Sequence, residues 1–499
     1  MKTHLILNLS LSLLVAPLIA NAPSMPDQGS LSSSDASYDG NSLLLTGHVI
    51  LDHGLGKMMS EEASLQRQEI GKDFPFSLIQ LRKDVLLGLK SGAQISCGSA
   101  DLDFTALKGL LYSSENDKVT YTDQIKKRKG SETNSLKLTG QFVQLEFLKQ
   151  AHDGKKTEYD VDRIFVKESV VIDYANDFQL HAHEALYRKE SLQRSKSSSQ
   201  EFQGIVTAYP KDEHSKCRLL HQGDEIDADQ VDLNLIDSKI FLLQPKGTLA
   251  SALLPSLQKD KIYFHADQLS WDQIKNTLTL KGKVLIDENS LGLLNAEDEI
   301  QITQTVAKDK HLLKKIHAQG PSSLVYRDAN QITHRLTSSG SIDFNREKLK
   351  ATIDSFEKEG VIPQDKQLYY EEEEFAVFAD YASLEYSIVN ETAIQPSSLT
   401  LIGNIRLFSH DTQKPLRCGL ADRLTYSLTT KTLILSANPG KKVLFWDESQ
   451  GMHLSAPEVH ITYDPETKQQ QVRGIGAVQF AFTPDEQSKI QQFFPRSKK

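Results

Sequence analysis

Apolar and polar side chains alternate along most of this chain. In "TLTLKGKVLID", residues 277–287, Leu278, Leu280, Gly282, Val284 and Ile286 share one parity, and Thr277, Thr279, Lys281, Lys283 and Asp287 share the other. Successive side chains of a strand point to opposite faces, so the segment reads as a strand with one apolar and one wet face, as in an antiparallel sheet covered on one side. The frame L-x-L-x-G-x-[VI]-x-[LI] recurs as "LLLTGHVIL" (Leu43, Leu45, Gly47, Val49, Leu51) and as "LTLIGNIRL" (Leu399, Leu401, Gly403, Ile405, Leu407). A weaker copy is "LKLTGQF" at 136–142, and "VRGIGAVQFAF" at 472–482 is a terminal variant. Glycine inside a strand is unfavourable unless it relieves a bend or permits a close approach. Its return on the apolar parity predicts bent strands wrapped round a narrow interior, which the glycines help to line.

A second element precedes these strands. "ADQVDLNLIDSKIFLLQPKG" from Ala228, "ADQLSWDQIKNTLTLKGKVL" from Ala266 and "ADRLTYSLTTKTLILSANPG" from Ala421 align without gaps. Each reads Ala-Asp, an alternating strand, a polar turn and a second alternating strand, and looser starts occur at Ala100, Ala296, Ala379 and Ala456. Strand pairs at such regular spacing signify a repeat architecture, and "ANPGK" at 437–441 and "YDPETKQQ" at 463–470 are turn-forming. Helical signals are confined to 57–70 and 485–494. The expected organisation is a signal peptide at 1–22, a flexible lead-in at 23–42, a diverged β-repeat region at 43–187, a polar linker at 188–202, a repeat region at 203–354, a charged insertion at 355–374, a second repeat region at 375–484 and a polar tail at 485–499.

Composition narrows the function classes. Of 499 residues, 39% are hydrophobic and 25% charged, ordinary values for a folded protein. The net charge of −9 and the lack of a basic stripe interleaved with aromatics argue against a nucleic-acid partner. Lys2, the apolar run Leu5–Ile19 and Ala20-Asn21-Ala22 have the layout of a secretory signal peptide, so export is expected. Pro23 disfavours cleavage directly after Ala22, leaving a cut elsewhere or a retained anchor. Cys97, Cys217 and Cys418 are far apart and odd in number, so they read as small buried residues, with one bridge of unassigned pairing as the alternative.

The repeats resemble the OstA-like, or LptA-type, family of periplasmic lipopolysaccharide-transport proteins, and also the N-terminal jellyroll of the LptD-type assembly protein. The best match is Ala266-Asp267, Trp271-Asp272 and Leu278 to Val284. Ala421-Asp422 with Tyr426-Ser427, and Ala379-Asp380 with Tyr386-Ser387 and Leu399 to Ile405, match next. The resemblance covers about 260–300 and 375–483 and is weaker over 40–250. It implies an all-β fold of tandem β-jellyroll (β-taco) units with few short helices, with 203–354 and 375–484 as the jellyroll regions. It also implies a periplasmic location, with outer-membrane association as a variant. The implied lipid-binding, groove-facing residues are Leu278, Leu280, Gly282, Val284, Ile286, Leu399, Leu401, Gly403, Ile405 and Leu407. Implied partners are lipopolysaccharide or lipid A acyl chains, and other jellyroll proteins joined by strand addition at an edge, here Val472–Phe482. The chain departs from the single-jellyroll member by its length, and nothing after 483 reads as membrane strands, so a barrel is not expected.

Other constellations carry less. His181 and His183 share a strand face but have no third ligand at suggestive spacing, so no metal and no cofactor is expected. Glu371 to Glu374 read as a solvated loop or strand edge. No G-x-S-x-G, Walker or H-E-x-x-H motif is present. The expectation is a non-enzymatic, exported protein that binds or transfers lipopolysaccharide. The rival is an envelope scaffold whose interior is filled by its own side chains, and an enzyme site in the unmatched stretch 88–250 is a third reading.

Overall fold

The computed structural model describes residues 30–67, 76–115, 117–126, 133–150, 158–175, 178–191, 202–250, 261–288, 291–307, 310–328, 331–355, 364–389, 393–409, 417–448, 451–464 and 469–494. The signal peptide expected at 1–22 lies outside them. The chain is nearly all strand, paired antiparallel, with one 3₁₀ turn (Gln364–Lys366) and one α-helix, α1 (Pro484–Phe493), among the described residues. This is the all-β fold that the alternation predicts, and it is jellyroll-like, as the resemblance implies. It divides into two compact units, within Met1–Tyr121 and Phe142–Asp162, and within Thr122–Gln141 and Arg163–Lys499.

In the first unit, the long strands Ser42–His53, Gly56–Gln66, Leu78–Leu89 and Gln94–Asp103 form a meander that continues through Lys108–Tyr112 to Phe142–Gln150. The long strands bend where their pairing shifts, between Thr46/Val49, Met59/Glu62 and Arg82/Val85. Residues 56–66 are therefore strand, not the helix expected over 57–70. The bulge puts Ser60 and Ala63 both inside, which breaks the two-residue alternation and imitates helical spacing. The lead-in is also more ordered than expected: Leu31–Ser32 and Asp35–Tyr38 pair with Ser42–His53.

The second unit deals its hairpins alternately to two layers. The front layer runs from Phe202–Tyr209 through Gln230–Asn234, Lys239–Leu243, Gln268–Asp272 and Thr277–Lys281 to Glu299–Ala307 and Lys310–Gln319. It continues through Ser341–Asn345, Lys350–Asp354 and Tyr381–Val389. The back layer takes the hairpins between: Cys217–His221 with Asp224–Ala228, Lys246–Leu249 with Ile262–His265, Val284–Glu288 with Gly292–Ala296, Ser322–Arg327 with Thr333–Ser338, and Leu368–Glu371 with Phe375–Ala379. The long strands Ala393–Ser409 and Arg417–Ser427 belong to both layers, each crossing at a bend. Thr432–Ser436, Glu458–Asp464 and Gln469–Ile475 then end the front layer, and Val443–Asp447 with Met452–Ala456 end the back.

Two expected boundaries are absent. Leu368–Glu371, inside the expected insertion, pairs with Thr333–Ser338 and so carries the back layer across it. Strand Phe178–Ser191 runs into the expected linker and pairs with Phe202–Tyr209, while 192–201 lie outside the described residues. The tail contains α1, as the helical spacing over 485–494 predicts. Thr483 caps it: its hydroxyl accepts from the Glu486 amide, and the Glu486 carboxylate accepts from the Thr483 amide. Ile490 packs on Cys418, Leu444 and Trp446, on the outer face of the back layer.

Candidate functional site: an apolar interior with one hydrogen-bonded seam

The layers join along a line of corners. The amide of Asp267 donates to the carbonyl of Gly282 at 3.0 Å, and the Gly282 amide to that of Asp298 at 2.9 Å. The Gln244 amide donates to the Asp267 carbonyl at 2.8 Å, and the Asp380 amide to Gly403 at 3.2 Å. The Ala-Asp starts at Asp267 and Asp380 thus sit against the corners of neighbouring crossings. This gives the opening glycines a different role from the one expected. Gly282 (φ +72°) and Gly403 (φ +84°) occupy left-handed backbone where the strand changes layer. A Cβ on either would lie 2.4 Å from a carboxylate oxygen, of Asp267 and Asp380 respectively. The glycines therefore face the Ala-Asp carboxylates at the seam and do not line the interior. Alternation assigned them to the apolar face because a corner preserves parity while rotating the side-chain direction.

The aliphatic residues of the frame are interior. Leu278, Leu280, Leu399 and Leu401 are fully buried, and Val284, Ile286, Ile405 and Leu407 nearly so. Burying each such side chain contributes roughly 1.5–3 kcal/mol, so this interior also holds the fold together. The space left between the layers is small at depth: a cavity of about 20 Å³ lies among Ile286, Leu294, Ile316, Phe344 and Tyr386. Nearer the hairpin ends, a cavity of about 190 Å³ is lined by Leu407, Phe375 and Phe445 of the back layer and Tyr426, Leu433 and Ile461 of the front, with Glu372, Arg417 and Lys431 among the charged groups at its mouth.

Opposite the seam, the hairpin turns of the two layers meet through polar side chains. His334 is wholly buried, with Nδ1 2.8 Å from the Tyr370 hydroxyl and Nε2 3.5 Å from Asp328, long for a hydrogen bond. The Tyr426 hydroxyl of the front layer donates to Glu372 of the back layer at 3.2 Å. Burial pushes the Glu372 carboxyl up to about 7, against the opposing hydrogen bond from Tyr426. Burial also lowers the His334 imidazole, outweighing the pull of Asp328, and raises the Tyr326, Tyr370 and Tyr426 hydroxyls. The sequence reading missed this cluster. Glu373 and Glu374 are exposed, as expected for a solvated run, but Glu372 is buried by pairing that no local pattern reveals.

The remaining candidates have structural surroundings. His181 is exposed, with Nε2 2.9 Å from the Gln179 side chain. Among the described residues no group of three or more His, Cys, Asp or Glu is arranged to hold a metal. The three cysteines are free and buried, their thiols pushed up to about 12 by burial. The edge expected over Val472–Phe482 is strand only to Ile475; the chain then bends, and Gln479 bridges Ser455. No helix among the described residues is long and apolar enough to cross a membrane.

Fold and site together define a β-jellyroll-like protein with an apolar interior between two layers. No family model and no curated protein matches the sequence. Among solved structures, the chain is similar to the crystal structure of LptH, the LptA-homologous periplasmic component of the lipopolysaccharide transport device from Pseudomonas aeruginosa. Identity is 10% and the TM-score 0.22, over 30% of this chain and 95% of that one.

Proposed function

We propose that the protein holds the acyl chains of a lipid, lipopolysaccharide in particular, between its layers, and presents them to partners of the same build in the periplasm. It does so without catalysis. The observation that carries this reading is the asymmetry of the second unit. One side is a continuous seam of backbone hydrogen bonds, and the other is held across the layers by side chains such as Tyr426 and Glu372. Parting the hairpin ends breaks side-chain contacts such as Tyr426–Glu372, leaves the backbone seam intact and exposes Leu407 and its neighbours. Each methylene of an entering chain then gains roughly 0.8 kcal/mol.

The rival scaffold reading has its own support, in the complete burial of Leu278, Leu280, Leu399 and Leu401 by the protein's own side chains. A photo-crosslinking residue at Leu407, in the larger cavity, is expected to capture lipid from envelope preparations. One at Lys281, on the outer face and paired with Glu299, is expected to capture none. Capture at neither position from lipid-replete cells favours the scaffold.

A further inference from the structure

A second concavity lies outside the shell, on the outer face of the back layer. Its volume is about 1050 Å³. Its floor is one row of outward side chains in register across successive strands, from His265 through Asn295, Ser323, Thr337 and Tyr369 to Arg406. At about 4.8 Å between neighbouring strands the row is roughly 30 Å long. The 3₁₀ turn adds Asp365 to the lining, with Gln367 just after it.

The chemistry along the row selects the occupant. The same row continues into Leu420 and Leu444, and there, with Cys418 and Trp446, it forms the apolar bed on which α1 lies. The open part is different: it mixes the hydroxyl and amide groups of Asn295, Ser323 and Thr337 with Leu285, Pro321 and two aromatic rings, so an occupant must offer apolar and hydrogen-bonding groups together. Lys283 and Arg406 balance Glu297 and Asp365, so the lining has no excess charge to attract a polyanion. Tyr369 and Phe378 lie side by side, their ring centroids 5.1 Å apart and their planes tilted by 48°. Beside them, Arg406 stacks on Phe378 at 4.5 Å and donates to Gln367, which donates to Asp380 at 2.7 Å. Arg406 is only 8% exposed, and its Nε has no hydrogen-bond partner in the structure. A buried donor of this kind is costly unless an acceptor arrives.

We infer that this groove binds a linear saccharide, with a pyranose face on Tyr369, the edge of Phe378 beside it, and ring hydroxyls meeting Arg406, Thr337, Ser323 and Asn295. An extended glycan supplies both apolar C–H faces and dense hydroxyls along its length, which a helix or a polyanion does not. The inference stands apart from acyl-chain binding, because the groove and the interior lie on opposite faces of the back layer.

The full chain is titrated, by saturation-transfer NMR and calorimetry, with the lipid-free oligosaccharide released from lipopolysaccharide, with maltoheptaose and with chitohexaose. At least one is expected to bind. Tyr369→Ala and Thr337→Glu, both at partly exposed positions, are each expected to weaken that binding tenfold or more with an unchanged circular dichroism spectrum. Arg406→Lys, which keeps the charge and loses the planar fork, is expected to weaken it as well. Binding of the first sugar alone identifies a lipid headgroup as the source, and binding of either of the others a free or wall glycan. No binding by any of the three, or equal binding by all three variants, overturns the inference. Lipid capture at Leu407 without glycan binding refutes the groove alone, and glycan binding without lipid capture refutes the interior reading alone.

Discussion

At the scale of single residues, the corners and the buried acid govern different properties. Gly403 needs its positive φ, and a Cβ there would meet Asp380 at 2.4 Å. Gly403→Ala is expected to cost about 1–3 kcal/mol in urea unfolding, from backbone strain and displacement of the carboxylate. Because the glycine sits at the seam, capture of lipid at Leu407 is expected to persist in the folded variant. Burial holds the Glu372 carboxyl up at about 7 in the folded protein, above its ordinary value of 4.5. Its folded pKa is raised, so folding takes up a proton between those values and stability falls as pH rises through that window. The full penalty, on the order of 3 kcal/mol, stands above pH 7. Glu372→Gln is expected to raise the melting temperature at about pH 8 and to lose that advantage near pH 4. A variant less stable than the parent at about pH 8 contradicts this account.

At the scale of elements, α1 is a short helix held by its cap and by one buried side chain. Helices of this length are marginal alone, so packing decides whether it forms. Thr483→Ala removes the capping hydroxyl and is expected to cost about 1 kcal/mol. Ile490→Ala empties a contact with Leu444 and Trp446 and is expected to cost more, roughly 2 kcal/mol or above. Limited proteolysis beyond residue 483 reads both, and the order of the two effects checks the explanation. The helix and the strand Gly56–Gln66 also mark where local pattern suffices and where it misleads. The spacing over 485–494 and the Thr483–Glu486 box are local, so the helix was legible. The bulge at Met59/Glu62 lies beside the bend of the neighbouring strand Leu78–Leu89 at Arg82/Val85, a feature of the paired strands, and so the spacing of 57–70 imitated a helix.

At the scale of the whole molecule, each hairpin of the second unit touches mainly the hairpins beside it in its own layer and the facing layer. Such stacked repeats gain stability from neighbouring interfaces, so damage stays near its source. Leu435→Ala, at a fully buried site near the end of the front layer, is expected to speed amide exchange over 417–475 and leave 277–305 nearly unchanged. A uniform increase over both regions would show that the unit opens as one block.

Sequence alone determined most of the strands and their inner aliphatic faces, Gly56–Gln66 excepted, because alternation depends only on a side chain and its neighbours two residues away. Leu278, Leu280, Leu399 and Leu401 were legible as interior for that reason. Tertiary structure alone decided which layer each hairpin joins, that Asp267 covers Gly282, that Glu372 is buried while Glu373 is not, and that Thr337, Tyr369 and Arg406 fall into one row. Those facts depend on register between segments far apart along the chain. Register is a property of the paired strands together, and no single strand carries it.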